Sequence, residues 1–418
     1  MRVWLLHIGE DLPVDGVTRQ FRYGYLAQAL QNQGHQVLRW APTFRHNTKT
    51  NRFPIDSRVQ MSDGYAIQFV HSSGYGRNIS IARLQTYRTL DRRFRQLAAQ
   101  ESPPDVIVAA IPSLEWAAAA VDYGRSHGIP VVVDVRDLWP DVFVNALPSP
   151  ARPLGRVLLA PYFRVARRAC RAATALTAVS QTYLEWGLKL AGRRRESRDQ
   201  IVPIGFEPEP ITSSKLQSNL EQLRGRDIDP SRPICLFIGL FERSYDLETV
   251  IHAARRLESD GRSDVQFVFC GDGAQRPALQ RLAAGLCSVH FLGWVDAMML
   301  QAAASISTIG LCAYSADALQ SLPNKPFEYM AGRLAIVSSL PGELAELLNR
   351  NRCGVTYRAG DAAALAGAIT QILNAPELLS TMRLNAYKTW LRDYRSPEVY
   401  SRFVHHLTSL VPATAAAA

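Results

Sequence analysis

Lys325 and Glu328 are the residues whose types and spacing come nearest to a ligand site, in the stretch SLPNKPFEYM at 321–330. Pro323-Asn324-Lys325 reads as a helix start, and Glu328 then falls one turn further in. A cation at the mouth of a site and a carboxylate one turn deeper would suit a sugar nucleotide. Lys325 would meet phosphate, and Glu328 would accept hydrogen bonds from a pair of ribose hydroxyls. The same two residues also fit a plain helix start, with Glu328 balancing the helix dipole and Lys325 in water. Two more loops precede helical patterns and would present backbone amides to an anion: VDGVT at 14–18 and FERS at 241–244. A lone Asp-Gly turn such as Asp15-Gly16 is equally able to do no more than close a strand–helix connection. Asp227 and Asp229 imitate a metal-binding pair, but two carboxylates without further ligands hold a divalent ion weakly, so no metal is expected. His405-His406, near the end of the chain, is expected on the surface.

These loops need elements to hold them. Val3 to Ile8 is a short apolar strand, followed by a helical pattern from Val17 to Gln33 and a second strand at 37–40. That is a parallel βαβ unit. DVIVAA (105–110) and PVVVDV (130–135) are continuous β-branched runs around an Ala-rich helix, which predicts strands buried on both faces of one parallel sheet. A polar stretch from Arg193 to Arg232 reads as a linker, after which the pattern restarts. Strands are predicted at 234–239, 265–271, 289–293, 305–311 and 334–339, with helices at 246–259 and 274–286. The fold class is therefore α/β, with two doubly wound Rossmann-like domains over 1–200 and 201–395. Ligands of such sheets sit beyond the carboxyl ends of the strands, so the chemistry is expected in a cleft where the two domains face each other.

Composition narrows the classes further. With 418 residues, 47% hydrophobic and 20% charged, the chain suits two globular domains rather than a disordered or fibrous protein, and only the tail PATAAAA looks unstructured. The opening MRVWLLHIGED is too short an apolar run for a signal peptide, and no stretch has the length of a membrane span. Six cysteines lie far apart with no C-x-x-C pair, which argues for reduced core thiols and a cytoplasmic protein. Charge is uneven: residues 1–200 hold 27 of the 47 basic residues and 16 of the 37 acidic ones. Residues 152–171, taken as one helix, put Arg152, Arg156, Arg164, Arg167, Arg168 and Arg171 on one side, with Leu154, Leu158, Tyr162 and Val165 opposite. Such a surface is expected to meet an anionic membrane, and no nucleic-acid partner is expected.

SLPNKPFEYMAGRLAIVSS resembles the acid-bearing signature of the retaining family 4 glycosyltransferases, and CGDG (270–273), FLGW (291–294), TAVSQTYLEWGLK (177–189) and CGVTYRAGDAAALAGAI (353–369) follow that family's order. APTFRHNTK and DVRDLWPD in the first half resemble the subgroup that assembles bacterial surface polysaccharides from amino sugars. The resemblance implies a GT-B fold, with the donor held by the second domain, the acceptor by the first, and a C-terminal segment, 396–418, crossing back onto the first domain. It implies a nucleotide-sugar donor, a UDP-activated N-acetylamino sugar being favoured, a lipid-linked or saccharide acceptor, retention of anomeric configuration, no cofactor and no metal. The enzyme would then be peripheral at the inner face of the cell membrane.

Carried onto this chain, the catalytic residues would be Arg243, Lys325 and Glu328. Donor contacts would come from Gly16, Gly239, Gly271, Gly273, Gly293, Trp294, Val295, Gln320, Leu322, Pro323 and Asn324. Gln320 stands where the family has its first acid, Arg243 is the only cation in the loop after Gly239, and Arg136-Asp137 replaces a histidine motif on the acceptor side. A sugar-nucleotide epimerase of the same architecture and a degenerate, non-catalytic nucleotide-sugar-binding module are the rival readings. The epimerase needs acid and base groups around the sugar ring, which the sequence does not offer.

Overall fold

In the computed structural model, which describes residues 1–16, 20–61, 64–77 and 80–412, the chain divides into two units. One comprises residues 1–203 with 397 onward; the other comprises 204–396. In the first unit the strands are β1 (Arg2–Leu6), β2 (Gln36–Pro42), β3 (Phe44–Arg45), β4 (Thr50–Asn51), β5 (Ser57–Gln60), β6 (Ala66–Val70), β7 (Val106–Ile111), β8 (Val131–Val135), β9 (Ala175–Ala178) and β10 (Gln200–Ile201). Eight of them form one sheet in the order β10-β9-β8-β7-β1-β2-β6-β5, and β3 pairs with β4 in a small hairpin. Every pairing in the large sheet is parallel except β5 with β6.

Alternation along β1 shows how the sheet is covered. Val3 and Leu5 enter a cluster with Leu26 and Leu30 of the helix Arg22–Asn32 and with Phe403, Val404 and Leu407 of the helix Ser396–Leu410. Trp4 points the other way, edge-on to Trp40 at 5.2 Å, and Trp40 meets Phe94 at 4.9 Å. Both faces are dry, as all-parallel strands require.

The second unit repeats the plan with β11 (Ile234–Ile238), β12 (Gln266–Cys270), β13 (Val289–Gly293), β14 (Ile309–Cys312), β15 (Ala335–Ser338) and β16 (Gly354–Thr356), ordered β13-β12-β11-β14-β15-β16 and all parallel. Ile234, Leu236 and Ile238 pack on one face, and Cys235 and Phe237 on the other. In each sheet the chain winds outward from a central strand and then returns to that strand's other side. The two points of reversal lie between β1 and β7 and between β11 and β14.

Several expectations need correcting. The supposed linker contains β10, which extends the first sheet beside β9, and the helix Ser213–Arg224, whose charged residues face solvent while Leu223 is buried. The strand expected at 305–311 starts at Ile309, because Ser305-Ile306 completes the helix Ala297–Ile306. The first helix begins at Arg22; Val17, Thr18 and Arg19, where it was expected to open, lie outside the described residues. So does most of the PATAAAA tail.

Residues 152–171 are two helices, Arg152–Leu158 and Ala160–Ala172, because Pro161 cannot supply the N–H that would continue the first helix. The buried stripe is Phe163, Ala166, Ala169 and Cys170 rather than Leu154, Leu158, Tyr162 and Val165, since small side chains let this helix lie close to the helix Leu114–His127. Leu154, Val157 and Leu158 are instead 63–69% exposed. His406 is buried while His405 is exposed, because the last helix turns its 403, 406 and 407 positions toward the sheet. Five cysteines are buried and free, and Cys287 is exposed. No single helix among the described residues is long and apolar enough to cross a membrane.

Candidate functional site

The reversal point of the second unit is where the sequence candidates converge. Lys325, Pro326 and Phe327 open the helix Lys325–Ala331, whose Tyr329 reaches into the fork between β11 and β14. There its hydroxyl accepts from the Ile238 amide at 3.0 Å and donates to the Leu311 carbonyl at 3.2 Å. Gly310 permits this: a Cβ there would stand 2.4 Å from the tyrosine ring. One phenol thus ties both strands to the helix that carries Lys325 and Glu328.

Lys325 is not at the mouth of a site, as its sequence position suggested, but is buried with only 7% of its surface exposed. Its ammonium lies 3.8 Å from the Tyr245 ring centroid, 5.2 Å from that of Phe237 and 5.8 Å from that of Tyr314. Aromatic faces carry negative potential, so a desolvated ammonium gains about 2 kcal/mol from such a contact. Burial among these groups pushes the Tyr245 hydroxyl up to about 12. The lysine also needs Gly239, where a Cβ would approach Nζ to 2.6 Å. Glu328 is half-buried one turn along.

The loops around this pair are tied to each other. Tyr245 and Tyr314 form an isolated bridge, Ser315 N donates to Ser244 O at 3.0 Å, and Ser339 Oγ both accepts from Tyr314 N and donates to Tyr314 O at 2.7 Å. Arg243 stands on the first of these loops and is exposed. Gln320 stands on the second, its Oε1 buried without a hydrogen-bond partner among the described residues. Leu322 and Pro323 are half-buried beside it, Asn324 is exposed, and Ser321 donates to Glu343 at 2.6 Å.

Gly271 and Gly273 occupy places where a Cβ would strike the backbone of Gly239 and Phe241, so they serve the packing of the loop after β12 against the loop after β11. Their amides, like that of Gly239, are bonded within the protein. Beyond β13, Gly293 is in the left-handed region, Val295 is half-buried, and the Trp294 side chain is 77% exposed.

Gly16, in the first unit, is exposed in a turn beside Asp15. Asp15 accepts two hydrogen bonds from Arg52 and one from the Leu12 amide, which outweigh burial and hold its carboxyl below its usual range. An acid therefore stands in this turn, which does not lead directly into the helix starting at Arg22. Thr18 and Val17 of this loop lie outside the described residues.

Arg136 and Asp137 part company. Arg136 donates to Glu10 at 2.6 Å and lies 5.4 Å from the Tyr23 ring centroid, part of a cluster at the end of β1. In that cluster Arg39 donates to His7 Nε2 at 2.8 Å, so the imidazole proton sits on Nδ1. Burial first, and then Arg39, Arg136 and Arg52, hold His7 well below its ordinary value and keep it neutral.

Asp137 instead lines a cavity of about 200 Å³, together with Ile8, Gly9, Pro42, Phe44, His46, Tyr75, Arg83, Thr86, Tyr87, Leu90, Pro112 and Trp139. Ile8 follows β1, Phe44 and His46 follow β2, Pro112 follows β7, and Asp137 follows β8. This cavity marks the reversal point of the first sheet, the position at which open α/β sheets take ligands. Burial raises the Asp137 carboxyl, against the pull of Leu138, Trp139, Arg136 and Arg83.

In the same unit, Arg22 makes a buried bidentate pair with Asp134 at 2.8 and 2.9 Å, and Asp134 also accepts from Thr177 and Tyr23. Arg22 further donates to the carbonyls of Val202 and Pro203, pinning the end of the first unit's first segment.

Apart from Asp137, the cavity residues and this buried pair were missed from sequence. Asp134, an acid inside PVVVDV, was the available signal, because a carboxylate amid β-branched residues must have a partner. Tyr329 gave none, since it reads as one more apolar helix position. Among the described residues no group of three or more His, Cys, Asp or Glu is placed to hold a metal; Asp229 caps the turn at Ser231.

Comparison with known proteins agrees in both halves. Residues 15–209 match the family described as Glycosyltransferase Family 4, and residues 232–375 the family described as Glycosyl transferases group 1. The chain is 30% identical over 168 residues to alpha-D-kanosaminyltransferase of Streptomyces kanamyceticus, covering 40% of this chain and 42% of that one. It is 26% identical over 254 residues to alpha-maltose-1-phosphate synthase of Mycobacterium tuberculosis, covering 56% and 63%. The matched segments thus span less than two thirds of either relative. Among solved structures, Anabaena HepE in complex with UDP superposes with a TM-score of 0.69 at 15% identity, over 98% of this chain and 100% of that one. The shared fold is GT-B, with two Rossmann-like domains.

Proposed function

We infer, for a chain that belongs to the glycosyltransferases, that it moves a sugar from a UDP-activated donor, an N-acetylamino sugar being favoured, to a lipid-linked or saccharide acceptor. Retention at the anomeric carbon and a place in bacterial surface-polysaccharide assembly are part of this proposal. The observation that carries it is the pairing of Lys325 and Glu328 on one helix fixed at the reversal point of the second sheet, with the lysine ammonium caged by aromatic rings. The HepE structure was solved with UDP, and the kanosaminyltransferase is named for an amino sugar; both favour the reading.

In this mechanism Glu328 accepts from the ribose hydroxyls, and Gln320 Oε1, the buried acceptor, takes a hydroxyl of the donor sugar. As the glycosidic bond lengthens, negative charge grows on the departing diphosphate, and Lys325 and Arg243 stabilise it. The cage matters because an ammonium already stripped of water needs no reorganisation when that charge appears. Asp137 faces the acceptor hydroxyl. No divalent metal is required, since fixed cations do its work.

We place the enzyme on the cytoplasmic face of an anionic membrane, held by Leu154, Val157 and Leu158 on a short helix beside Arg152 and Arg156 and by the arginines of the next helix. Flotation with anionic vesicles tests this: recovery should exceed that with neutral vesicles and fall at high salt, and equal recovery on both would refute it. For the reaction itself, incubation with radiolabelled UDP-sugars and a lipid-phosphate acceptor separates the readings. Label in the lipid phase supports transfer; isomerised donor supports an epimerase; bound, unchanged donor supports a degenerate module.

A further inference from the structure

The cavity of the first unit has a charge that the reaction chemistry alone does not explain. Arg83 and His46 line it, and Lys49, which does not, stands beside them on Tyr75: the Arg83 guanidinium carbon is 5.3 Å from the Tyr75 ring centroid, Lys49 Nζ is 4.8 Å from it, and His46 Nδ1 is 2.7 Å from its hydroxyl. Lys49 also lies 3.3 Å from His46 Nδ1. Arg83 is spread over a second platform, 4.4 Å from the Trp139 centroid, and its Nε donates to Tyr87 at 2.9 Å. Like charges held this close raise each other's energy. Burial and then Arg83 lower Lys49, and burial, Lys49 and Arg83 together bring His46 down to about 4. Burial and neighbouring rings weaken the screening that water gives such charges, so an entering anion would gain more here than at the surface.

The remaining wall is apolar and aromatic, with Phe44, Tyr87, Leu90 and Trp139 facing about 200 Å³. Asp137 lies on the same wall, on the loop after β8.

We propose that this cavity binds a phosphate carried by the acceptor, with Arg83 and Lys49 supplying the charge, His46 a ring nitrogen, and the aromatic wall covering the sugar or prenyl group attached to it. The proposal rests on the acceptor role given above to the first unit. The phosphate's source is either a soluble sugar phosphate or a prenyl phosphate, and glucose 6-phosphate and farnesyl phosphate stand for these.

Calorimetric titration tests it, with glucose and farnesol as uncharged counterparts, on the wild type and on Arg83→Gln, Lys49→Met and, as a control, the exposed Arg125→Gln. At least one phosphorylated probe should bind about tenfold or more tightly than its counterpart, and the preferred probe names the source. Arg83→Gln should erase about tenfold of that preference, consistent with losing a hydrogen bond to a charged group. Lys49→Met should erase less, Arg83→Lys should restore part of it, and Arg125→Gln should leave it intact.

Equal binding of charged and uncharged probes, binding of neither phosphorylated probe, or a preference that survives both Arg83→Gln and Lys49→Met would overturn the proposal. Should Arg83→Gln fail to fold, Lys49→Met decides, because Lys49 is only partly buried. UDP titrated into the same samples separates the two claims. Absent UDP binding counts against the glycosyltransferase reaction, while the phosphate preference is judged on its own arms.

Discussion

The two sheets reverse direction in the same way, yet their reversal points are furnished in opposite styles. In the second unit backbone carries much of the construction: Gly239, Gly271, Gly273 and Gly310 let loops and a tyrosine come within contact distance, and one buried lysine is the principal charge. In the first unit side chains form the walls, with Arg83, His46 and Asp137 set among aromatic rings and Lys49 behind them on Tyr75. Backbone-built sites suit a ligand part common to many donors, such as a diphosphate, because they read its charge and little else. Side-chain walls suit a variable partner, since each substitution reshapes them. Under the function proposed above, donor recognition would rest on the glycine-dependent loops of the second unit and acceptor choice on the side-chain walls of the first.

The largest effect that could break this division is expected at Glu328. If it holds the ribose as proposed, replacing it with Ala would remove two hydrogen bonds to an ionised acceptor, each worth about 1.5–3 kcal/mol, so transfer should fall by about a hundredfold or more with the melting temperature little changed. A melting-temperature loss with preserved kinetics would make it a structural acid.

Lys325→Ala should lower kcat more than donor affinity, because its contact strengthens as the leaving group gains charge. Gly239→Ala should reproduce part of that loss without touching any charge, since the added methyl would displace Nζ from its cage. Steady-state kinetics on both variants makes the check, and unchanged kcat in Gly239→Ala would detach the cage from the chemistry.

How much of this division was legible in the sequence follows from what each feature rests on. The alternation of apolar runs and amphipathic stretches marked out two doubly wound sheets, because burial on both faces leaves long β-branched strands such as 105–110 and 130–135. Lys325 and Glu328 were visible because they lie only three residues apart in sequence. The first cavity was not, since Phe44, Tyr75, Arg83 and Trp139 come from four separate segments that only the sheet order gathers. The split of residues 152–171 was announced by Pro161. Which face the second of those helices buries was not, because Ala and Cys form a close-packing stripe that hydrophobicity alone ranks below Leu and Tyr.

Smaller effects sharpen the comparison from the stability side. Asp134→Ala should cost about 3–5 kcal/mol in the first unit, leaving the Arg22 charge buried and alone. In the folded chain burial pushes Asp134 up, but Arg22 and Thr177 more than offset it, so its carboxyl lies below the unfolded value of about 3.9. Its contribution is therefore present above that pH and is lost as the pH falls through the folded value. Wild-type denaturation midpoints should drop below about pH 4, and those of Asp134→Asn should depend less on pH there. Tyr329→Phe should cost about 1–3 kcal/mol in the second unit by leaving the Ile238 amide and Leu311 carbonyl unpaired. The smallest effect is expected from EDTA, which should leave transfer unchanged; inhibition reversed by manganese would replace the fixed cations with a metal.

The division of labour is tested most directly by UDP affinity, measured by calorimetric titration of the wild type, Glu328→Ala and Arg83→Gln. UDP should bind the wild type saturably, weaken at least tenfold in Glu328→Ala, and be unaffected by Arg83→Gln. Affinity that survives Glu328→Ala but falls with Arg83→Gln would contradict the assignment of the nucleotide to the second unit.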